Sequence, residues 1–251
     1  MLLKLIACNV FTREACLVVS ESPHVVDLEF TELGEHVHSA TLRTLLQSRI
    51  DTVDKAGKRY DAILLGFGLC GNATVSVQAR SIPLVLPRAH DCCTVLLGSR
   101  HAFREHFKDS PSTPFSSAGY IERGNYYLRQ EEGQSTIFDG DVFKAYVEQY
   151  GEENARYIME TMHPKQEGTE DRAVFIDVPE TRHLGYEQRF REKAAEDGKT
   201  VTTLPGNLGL LRRLVAGAWD PAEFLVIQPG QTIQGVYDWD EIVRAGKPTN
   251  P

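Results

Sequence analysis

Thiol, imidazole and carboxylate side chains follow apolar segments at several points in the first part of this chain. Cysteine and histidine bind zinc and iron, and a thiol can also act as a nucleophile. No two cysteines form a CxxC pair, so a metal site would have to be assembled by the fold and not by a local motif. The groups concerned are Cys8, His38, Cys70 and the consecutive His90, Asp91, Cys92 and Cys93.

The apolar segments before these groups are predicted to be strands of one parallel sheet. Ala62–Leu65 and Ile82–Leu86 are apolar without alternation, which is typical of strands buried on both faces. Leu2–Ala7 and Val25–Leu33 are two further candidates. Ligands of open α/β sheets bind beyond the carboxyl ends of the strands, so we expect the groups that follow these strands to converge at one edge.

The expected site has three thiolates together with an imidazole or an open position. We expect Cys8, Cys70 and Cys92 to bind a metal, with His38 as a fourth ligand or as a group that orients one of the ligands. Such a set suits zinc with an exchangeable ligand, or an iron–sulfur cluster with one iron open to substrate. Two other interpretations stay open: a metal-free site with a nucleophilic cysteine, and cysteines that only fill the core.

Acidic and basic groups near the same edge are candidates for proton transfer. Glu14, His90 and Asp91 are assigned this catalytic role, because a carboxylate beside thiolates has a raised pKa. Glu14 could equally lie on a helix surface, and Asp91 could cap the helix that begins near it. A helix N-terminus at this point would favour anions and thiolates.

Turns and one long loop are predicted to line the substrate or cofactor. The segment Asp109–Gln134 is loop-like, and we expect it to close over the site, as long loops in compact proteins often do. One glycine-containing turn continues from Cys70, and another precedes the apolar helix Leu208–Ala216, where backbone N–H groups could hold an anion. The predicted cofactor-binding residues are Gly71, Asn72, Tyr126, Gly206 and Asn207.

The alternation of strands and helices predicts an α/β protein of two Rossmann-like halves, with mainly parallel sheets around a central cleft. Residues 1–135 are expected to form the half that carries the Cys/His site, and residues 136–251 the half that begins with the bridging helix Asp141–Met162. Within the first half, Ala73–Arg80 is predicted to be a short helix, and one helix is expected from near Asp91 to Lys108.

Composition limits the classes of partner and location. With 251 residues, a net charge of −8 and a pI near 5.5, the chain has an acidic balance that argues against nucleic acid or an anionic membrane as a partner. The N-terminus MLLKLIACNV does not resemble a secretory signal, and no apolar run approaches the roughly 20 residues of a membrane helix. A cytoplasmic location is therefore expected, where the five cysteines are reduced thiols.

Several motifs carry a resemblance to a known family. IACNVFTRE, GFGLCGN, PRAHDCCTVLLGS and LPGNLGLLRRLVAGAWDPAEFLVIQPG together resemble the domain-of-unknown-function family 1638 over nearly the whole chain. The chain departs from the family pattern at Tyr120, where a tryptophan-bearing GW element is expected, and Cys16 and Cys93 lie outside the pattern. The resemblance implies that the shared site residues are Cys8, Glu14, His38, Cys70, His90, Asp91 and Cys92.

The resemblance also implies a broad function. Family members are often encoded near corrinoid-dependent methyltransferases, which by analogy indicates one-carbon, methyl-transfer or sulfur metabolism and makes a corrinoid protein or methyltransferase a candidate partner. We expect an enzyme with a zinc or iron–sulfur centre that acts on a small molecule as a transferase or lyase. A corrinoid or metal-cofactor carrier without turnover and a metal-free cysteine-nucleophile enzyme are the alternatives.

Overall fold

The computed structural model describes residues 1–32, 39–110, 113–123, 172–236 and 238–247. In these ranges the chain folds as a mixed α/β protein whose sheets are mostly parallel. The strands, in chain order, are β1 (Leu2–Cys8), β2 (Val25–Thr31), β3 (Ala62–Gly66), β4 (Leu84–Pro87), β5 (Phe115–Ser116), β6 (Arg172–Asp177), β7 (Thr200–Pro205), β8 (Phe224–Ile227), β9 (Thr232–Gly235) and β10 (Val243–Gly246).

The largest sheet has the strand order β2-β1-β3-β4-β8. The strands β2, β1, β3 and β4 are parallel to one another, whereas β8 pairs with β4 in the antiparallel direction. Every residue of β3 and β4 is buried, which explains why these strands are apolar without alternation. The predicted parallel arrangement of the first strands is therefore present, and the carboxyl ends of β1, β3 and β4 lie at one edge.

The second sheet has the order β5-β6-β7 and is parallel throughout. The predicted boundary between residues 135 and 136 falls outside the described residues, as does the predicted bridging helix Asp141–Met162. The sheets are built across that boundary, because β5 pairs with β6 and β8 pairs with β4. The order of elements along the chain does not predict these strand pairs, because strand partners are set by tertiary packing.

The described helices lie between the strands, and the predicted helix Leu208–Ala216 is present with slightly shorter bounds. The predicted helix after Asp91 is divided, because Gly98 adopts a left-handed backbone with φ of 74° and ends the first part. Ser99 then caps the next helix by accepting a hydrogen bond from the His101 backbone N–H. The helices are α1 (Thr12–Ser20), α2 (Ser39–Lys55), α3 (Cys92–Leu97), α4 (Arg100–Phe107), α5 (Ala118–Glu122), α6 (Tyr186–Glu196) and α7 (Gly209–Val215).

Two segments differ from their sequence expectations. The described part of the segment Asp109–Gln134, which was expected to be loop-like, contains β5 and α5. Ala73–Arg80 forms turns and not a helix, with Ser76 at a positive φ of 68°. The Ser76 backbone N–H instead donates to the carbonyl of Ile233, so this segment is paired with the hairpin of β9 and β10. The second strand of that hairpin, β10, lies in the polar C-terminal segment 237–251. Within the described ranges, no helix combines the length and apolar character needed to cross a bilayer.

The carboxyl ends of strands in the two sheets are in contact. A Cβ atom added at Gly119 in α5, just after β5, would lie 1.8 Å from the carbonyl oxygen of Val10, just after β1. The turn after β7 makes a second contact, because the Asn207 backbone N–H donates to the carbonyl of Leu96 at the end of α3. These contacts bring groups from both sheets to the edge that carries the cysteines.

Candidate thiol site at the sheet edge

Three cysteines from three strand ends come together at the carboxyl edge of the large sheet. Cys8 is the last residue of β1, Cys70 lies in the loop after β3, and Cys92 begins α3 just after β4. Hydrogen bonding to the thiols of Cys70 and Cys8, together with burial, raises the pKa of the Cys92 thiol. The thiols therefore meet at Cys92, although long stretches of chain separate them.

A left-handed turn carries Cys70 into this position. Cys70, Gly71 and Asn72 have φ values of 48°, 60° and 66°. Three consecutive residues are therefore in the left-handed backbone region, which residues other than glycine rarely adopt. The Cys70 backbone N–H donates to the carbonyl of His90 at 2.9 Å, and Nη2 of Arg43 donates to the carbonyl of Asn72 at 2.8 Å. These bonds hold a strained turn in place, which is characteristic of functional sites.

The loops after β3 and β4 lie directly against each other. A Cβ atom at Gly68 would be 2.5 Å from the Asp91 backbone nitrogen and 2.8 Å from the carbonyl oxygen of Ala89. The Leu69 backbone N–H also donates to that carbonyl at 2.8 Å. Only glycine permits this approach, and the approach places Cys70 beside Cys92.

Asp91 is the N-cap of α3, which confirms the second of the two roles considered for it from the sequence. Its Oδ1 accepts hydrogen bonds from the Thr94 backbone N–H at 2.9 Å and from the Thr94 hydroxyl at 3.2 Å. Burial, opposed by these hydrogen bonds and reinforced by the nearby Cys70, raises the pKa of Asp91 to about 6. A capping role and a place beside the thiols are thus combined in one carboxyl group.

Glu14 is buried and not on a helix surface. Its exposed fraction is 1%, and neither carboxyl oxygen has a hydrogen-bond partner in the described part of the chain. Burial is the main cause that raises the pKa of Glu14 to about 7, and the charge of Glu122 adds to the effect. A carboxyl group of this kind can hold or release a proton near neutral pH.

The His90 side chain contacts aromatic residues. Its ring centroid lies 5.2 Å from that of Phe103 in α4 and 5.2 Å from that of Trp239 near the C-terminus. Burial lowers the pKa of His90, and the charge of Asp238 opposes this effect. The ring therefore packs between α4 and the C-terminal segment, while the His90 carbonyl supports the Cys70 turn.

Tyr120 adjoins the thiols and was not assigned to the site from sequence. It is 3% exposed in α5, and burial together with the nearby Cys92 and Cys8 raises the pKa of its hydroxyl well above the usual range. The contact of Gly119 with Val10 explains the placement of Tyr120, because this contact docks α5 against the end of β1. The only sequence signal was the departure from the family pattern at this residue.

Buried polar atoms without partners surround the end of β1. Oδ1 of Asn9, Oγ1 of Thr31 and Oγ of Ser117 have no hydrogen-bond partner within the described ranges, and each residue is less than 5% exposed. Thr31 pairs with Cys8 in the register of β1 and β2, and Ser117 directly precedes α5. The same edge thus offers polar groups that a ligand or water would satisfy.

The predicted cofactor-binding turns have structural contacts. Just before α7, the Oδ1 of Asn207 accepts a hydrogen bond from the Gly209 backbone N–H at 2.6 Å, and Gly206 packs against Val178. Asn72 lies in the left-handed turn and also lines a cavity of about 390 Å³ with residues of the β9–β10 hairpin. Tyr126 and His38 lie outside the described residues, so their roles stay predictions.

The three thiols are chemically suited to bind zinc or iron, but in this structure they do not surround a common metal position. In the ranges that the structure describes, no three histidine, cysteine or acidic side chains are arranged so that they could hold a metal ion. Cys8, Cys70 and Cys92 meet as hydrogen-bonded thiols, and metal binding would require them to deprotonate and turn towards a common centre. Cys93 is buried and Cys16 is exposed, and neither is among the partners of Cys92.

Comparison with known proteins identifies a family and no individual relative. No curated protein and no solved structure matches the chain. A family model matches residues 30–215, which include Cys70, His90, Asp91 and Cys92 but not Cys8 or Glu14. Since this match covers most of the sequence, the chain belongs to the family described as "Protein of unknown function (DUF1638)".

Proposed function

We propose that Cys8, Cys70 and Cys92 bind a soft metal centre, either zinc or an iron–sulfur cluster, with His38 as the candidate fourth ligand. The observation that carries this proposal is the hydrogen bonding of the Cys92 thiol to the thiols of Cys8 and Cys70, which come from separate strands. Three soft donors at the carboxyl edge of a parallel sheet form the type of ligand set that these metals take.

We further propose that the protein is an enzyme acting on a small molecule in one-carbon, methyl-transfer or sulfur metabolism. The bound metal would supply a Lewis acid or a cluster iron open to substrate. The chain itself supplies Glu14, a buried carboxyl group that holds a proton near neutral pH, and Tyr120, which adjoins the thiols from α5. A corrinoid protein or methyltransferase is the proposed partner, and the cytoplasm, where thiols stay reduced, is the proposed location.

The substrate is proposed to bind between two Rossmann-like halves. The contacts of Gly119 with Val10 and of Asn207 with Leu96 support this arrangement, because each joins a strand end of the small sheet to the edge of the large sheet. Ligands of parallel α/β sheets bind at such edges. The unpartnered oxygen atoms of Asn9 and Ser117 near this junction would orient a polar substrate.

Metal analysis of anaerobically purified protein tests the metal proposal. We expect zinc, or iron with acid-labile sulfide, in the wild-type protein, and loss of that metal in Cys8→Ser, Cys70→Ser and Cys92→Ser. Cys93→Ser is the matched control, because this thiol is equally buried in the same helix and is not a partner of Cys92. A brown protein indicates the cluster, and a colourless protein that contains zinc indicates the Lewis acid.

Two outcomes would overturn the metal proposal. One is a wild-type protein without metal in which a single cysteine is alkylated much faster than a thiol of ordinary pKa, which supports a nucleophilic cysteine instead. The other is an equal metal content in all four variants, which would place the metal elsewhere. Circular dichroism of each variant confirms that metal loss does not follow from unfolding.

A further inference from the structure

A separate pocket lies at the carboxyl end of β6 in the small sheet. Its volume is about 310 Å³, within the range typical of small-molecule sites. Its position beyond the end of a parallel strand is the usual location of ligands in α/β proteins. Its wall combines the apolar Ala118, Phe175 and Val178 with the charged Asp177, Arg182 and Arg191.

Arg182 offers two unused donor groups to this pocket. Its Nε donates to Oδ2 of Asp177 at 2.6 Å, which fixes the direction of the guanidinium. Among the described residues, neither Nη1 nor Nη2 of Arg182 has a hydrogen-bond partner, and the side chain is 61% exposed. A guanidinium oriented in this way by a buried carboxylate can bind a ligand carboxylate through two parallel hydrogen bonds.

The other acidic group of the pocket is already neutralised. Oε1 of Glu187 accepts hydrogen bonds from the Thr203 hydroxyl at 2.6 Å and from Nη2 of Arg191 at 2.8 Å. The hydrogen bonds from Thr203 and Arg191 also lower the pKa of Glu187. An incoming anion therefore meets the free face of Arg182 without an unpaired carboxylate beside it.

We infer that this pocket binds a short-chain carboxylate, with the carboxylate group on Nη1 and Nη2 of Arg182 and the carbon chain against Ala118, Phe175 and Val178. The apolar wall favours a carbon chain over a fully polar anion. Each guanidinium shares its charge with a carboxylate, so a single negative charge suits the pocket better than a dianion such as phosphate. This inference does not depend on metal binding at the thiols.

Arginine-selective labelling with phenylglyoxal tests the inference on the full chain. Peptide mass spectrometry follows labelling of Arg182 in the presence of propionate, or of chloride or inorganic phosphate at equal ionic strength. We expect propionate to slow labelling of Arg182 by about threefold, the effect of a ligand at about twice its Kd. Labelling of Arg104 is the internal control, because this arginine lies on α4 with a side chain that is 49% exposed.

Propionate should also raise the Tm of the wild-type protein and have no effect on the Tm of Arg182→Ala, which is expected to fold because the side chain is largely exposed. Equal labelling of Arg182 in propionate and chloride would overturn the inference. Stronger protection by phosphate than by propionate would overturn the carboxylate assignment, and equal slowing at Arg104 would show a general salt effect and overturn it too.

Discussion

The carboxyl group of Glu14 links the proposed chemistry to the stability of the fold. Its pKa is raised from 4.5 to about 7, so the folded protein binds more protons than the unfolded chain between these two pH values. The contribution of Glu14 to the free energy of unfolding therefore falls as the pH rises through this window, and it is constant below and above the window. This pKa shift corresponds to a total change of about 3 kcal/mol in the free energy of unfolding.

The variant Glu14→Gln should lack this pH dependence. Relative to the wild type, its free energy of unfolding is expected to increase by about 3 kcal/mol from about pH 4.5 to about pH 8, as measured by urea denaturation. The control Glu196→Gln makes the same change on a side chain that is 72% exposed. Parallel pH profiles for the wild type and Glu14→Gln would show that Glu14 is not a buried acid.

At the scale of residues, the sequence located the thiols better than the groups around them. Cys8, Cys70 and Cys92 were predictable because each follows an apolar segment whose end is visible in the sequence. Tyr120 was not, because it follows β5, a strand of only two residues that no periodicity reveals. Glu14 is buried in α1, which packs against α7 and β2, and the sequence does not show this long-range packing.

At the scale of elements, the left-handed turn at Cys70 depends on contacts from outside the turn. Arg43 in α2 donates to the carbonyl of Asn72, and the His90 carbonyl accepts the Cys70 backbone N–H. Left-handed conformations of non-glycine residues cost roughly 1 to 2 kcal/mol each, so the turn would relax without such contacts. Arg43 is therefore a positioning residue for the Cys70 thiol.

The variant Arg43→Met should loosen this turn. Loss of a charge-assisted hydrogen bond of about 1.5 kcal/mol is expected to make iodoacetamide labelling of Cys70 about tenfold faster in metal-free protein. Arg49→Met is the matched control in the same helix, with a side chain that is 47% exposed and paired with Glu29. Equal labelling rates in the two variants would mean that Arg43 does not hold the turn.

The docking of α5 against the end of β1 gives a second prediction about elements. A methyl group at Gly119 would overlap the Val10 carbonyl oxygen, so Gly119→Ala should lower the free energy of unfolding by about 3 kcal/mol. Gly198→Ala is the comparison, because its Cβ would meet nothing within 4 Å and only its positive φ opposes the change, at about 1 kcal/mol. Urea denaturation measures both, and equal losses would contradict the tight contact.

The elements that the sequence failed to predict share a physical reason. The β9–β10 hairpin and the turns of Ala73–Arg80 stabilise each other through bonds such as Ser76 N–H to the Ile233 carbonyl. Neither segment has a periodic pattern of apolar residues, so the sequence of each segment alone does not predict its structure. Strands such as β1, β3 and β4 bury most of their residues in the core and were predicted within one or two residues.

At the scale of the whole molecule, the chain closes the edge of the large sheet with its C-terminal part. The antiparallel strand β8 pairs with β4, and the guanidinium of Arg88 donates to the carbonyls of Pro221, Glu241 and Val243. The loop that carries His90 and Cys92 is thus held from both sides. The thiol site depends on this long-range assembly, which local sequence patterns cannot specify.

X-ray absorption at the metal edge of anaerobically purified protein tests the central claim most directly. If the metal is zinc, we predict three sulfur atoms at about 2.3 Å from it. If the centre is a cluster, we predict a sulfur shell that includes inorganic sulfide, together with a metal–metal distance. The metal content should fall in Cys70→Ser, any zinc that remains should have two sulfur ligands, and Cys93→Ser should match the wild type. A metal surrounded only by nitrogen and oxygen, or a Cys70→Ser variant whose metal content and sulfur ligands are both unchanged, would contradict the account.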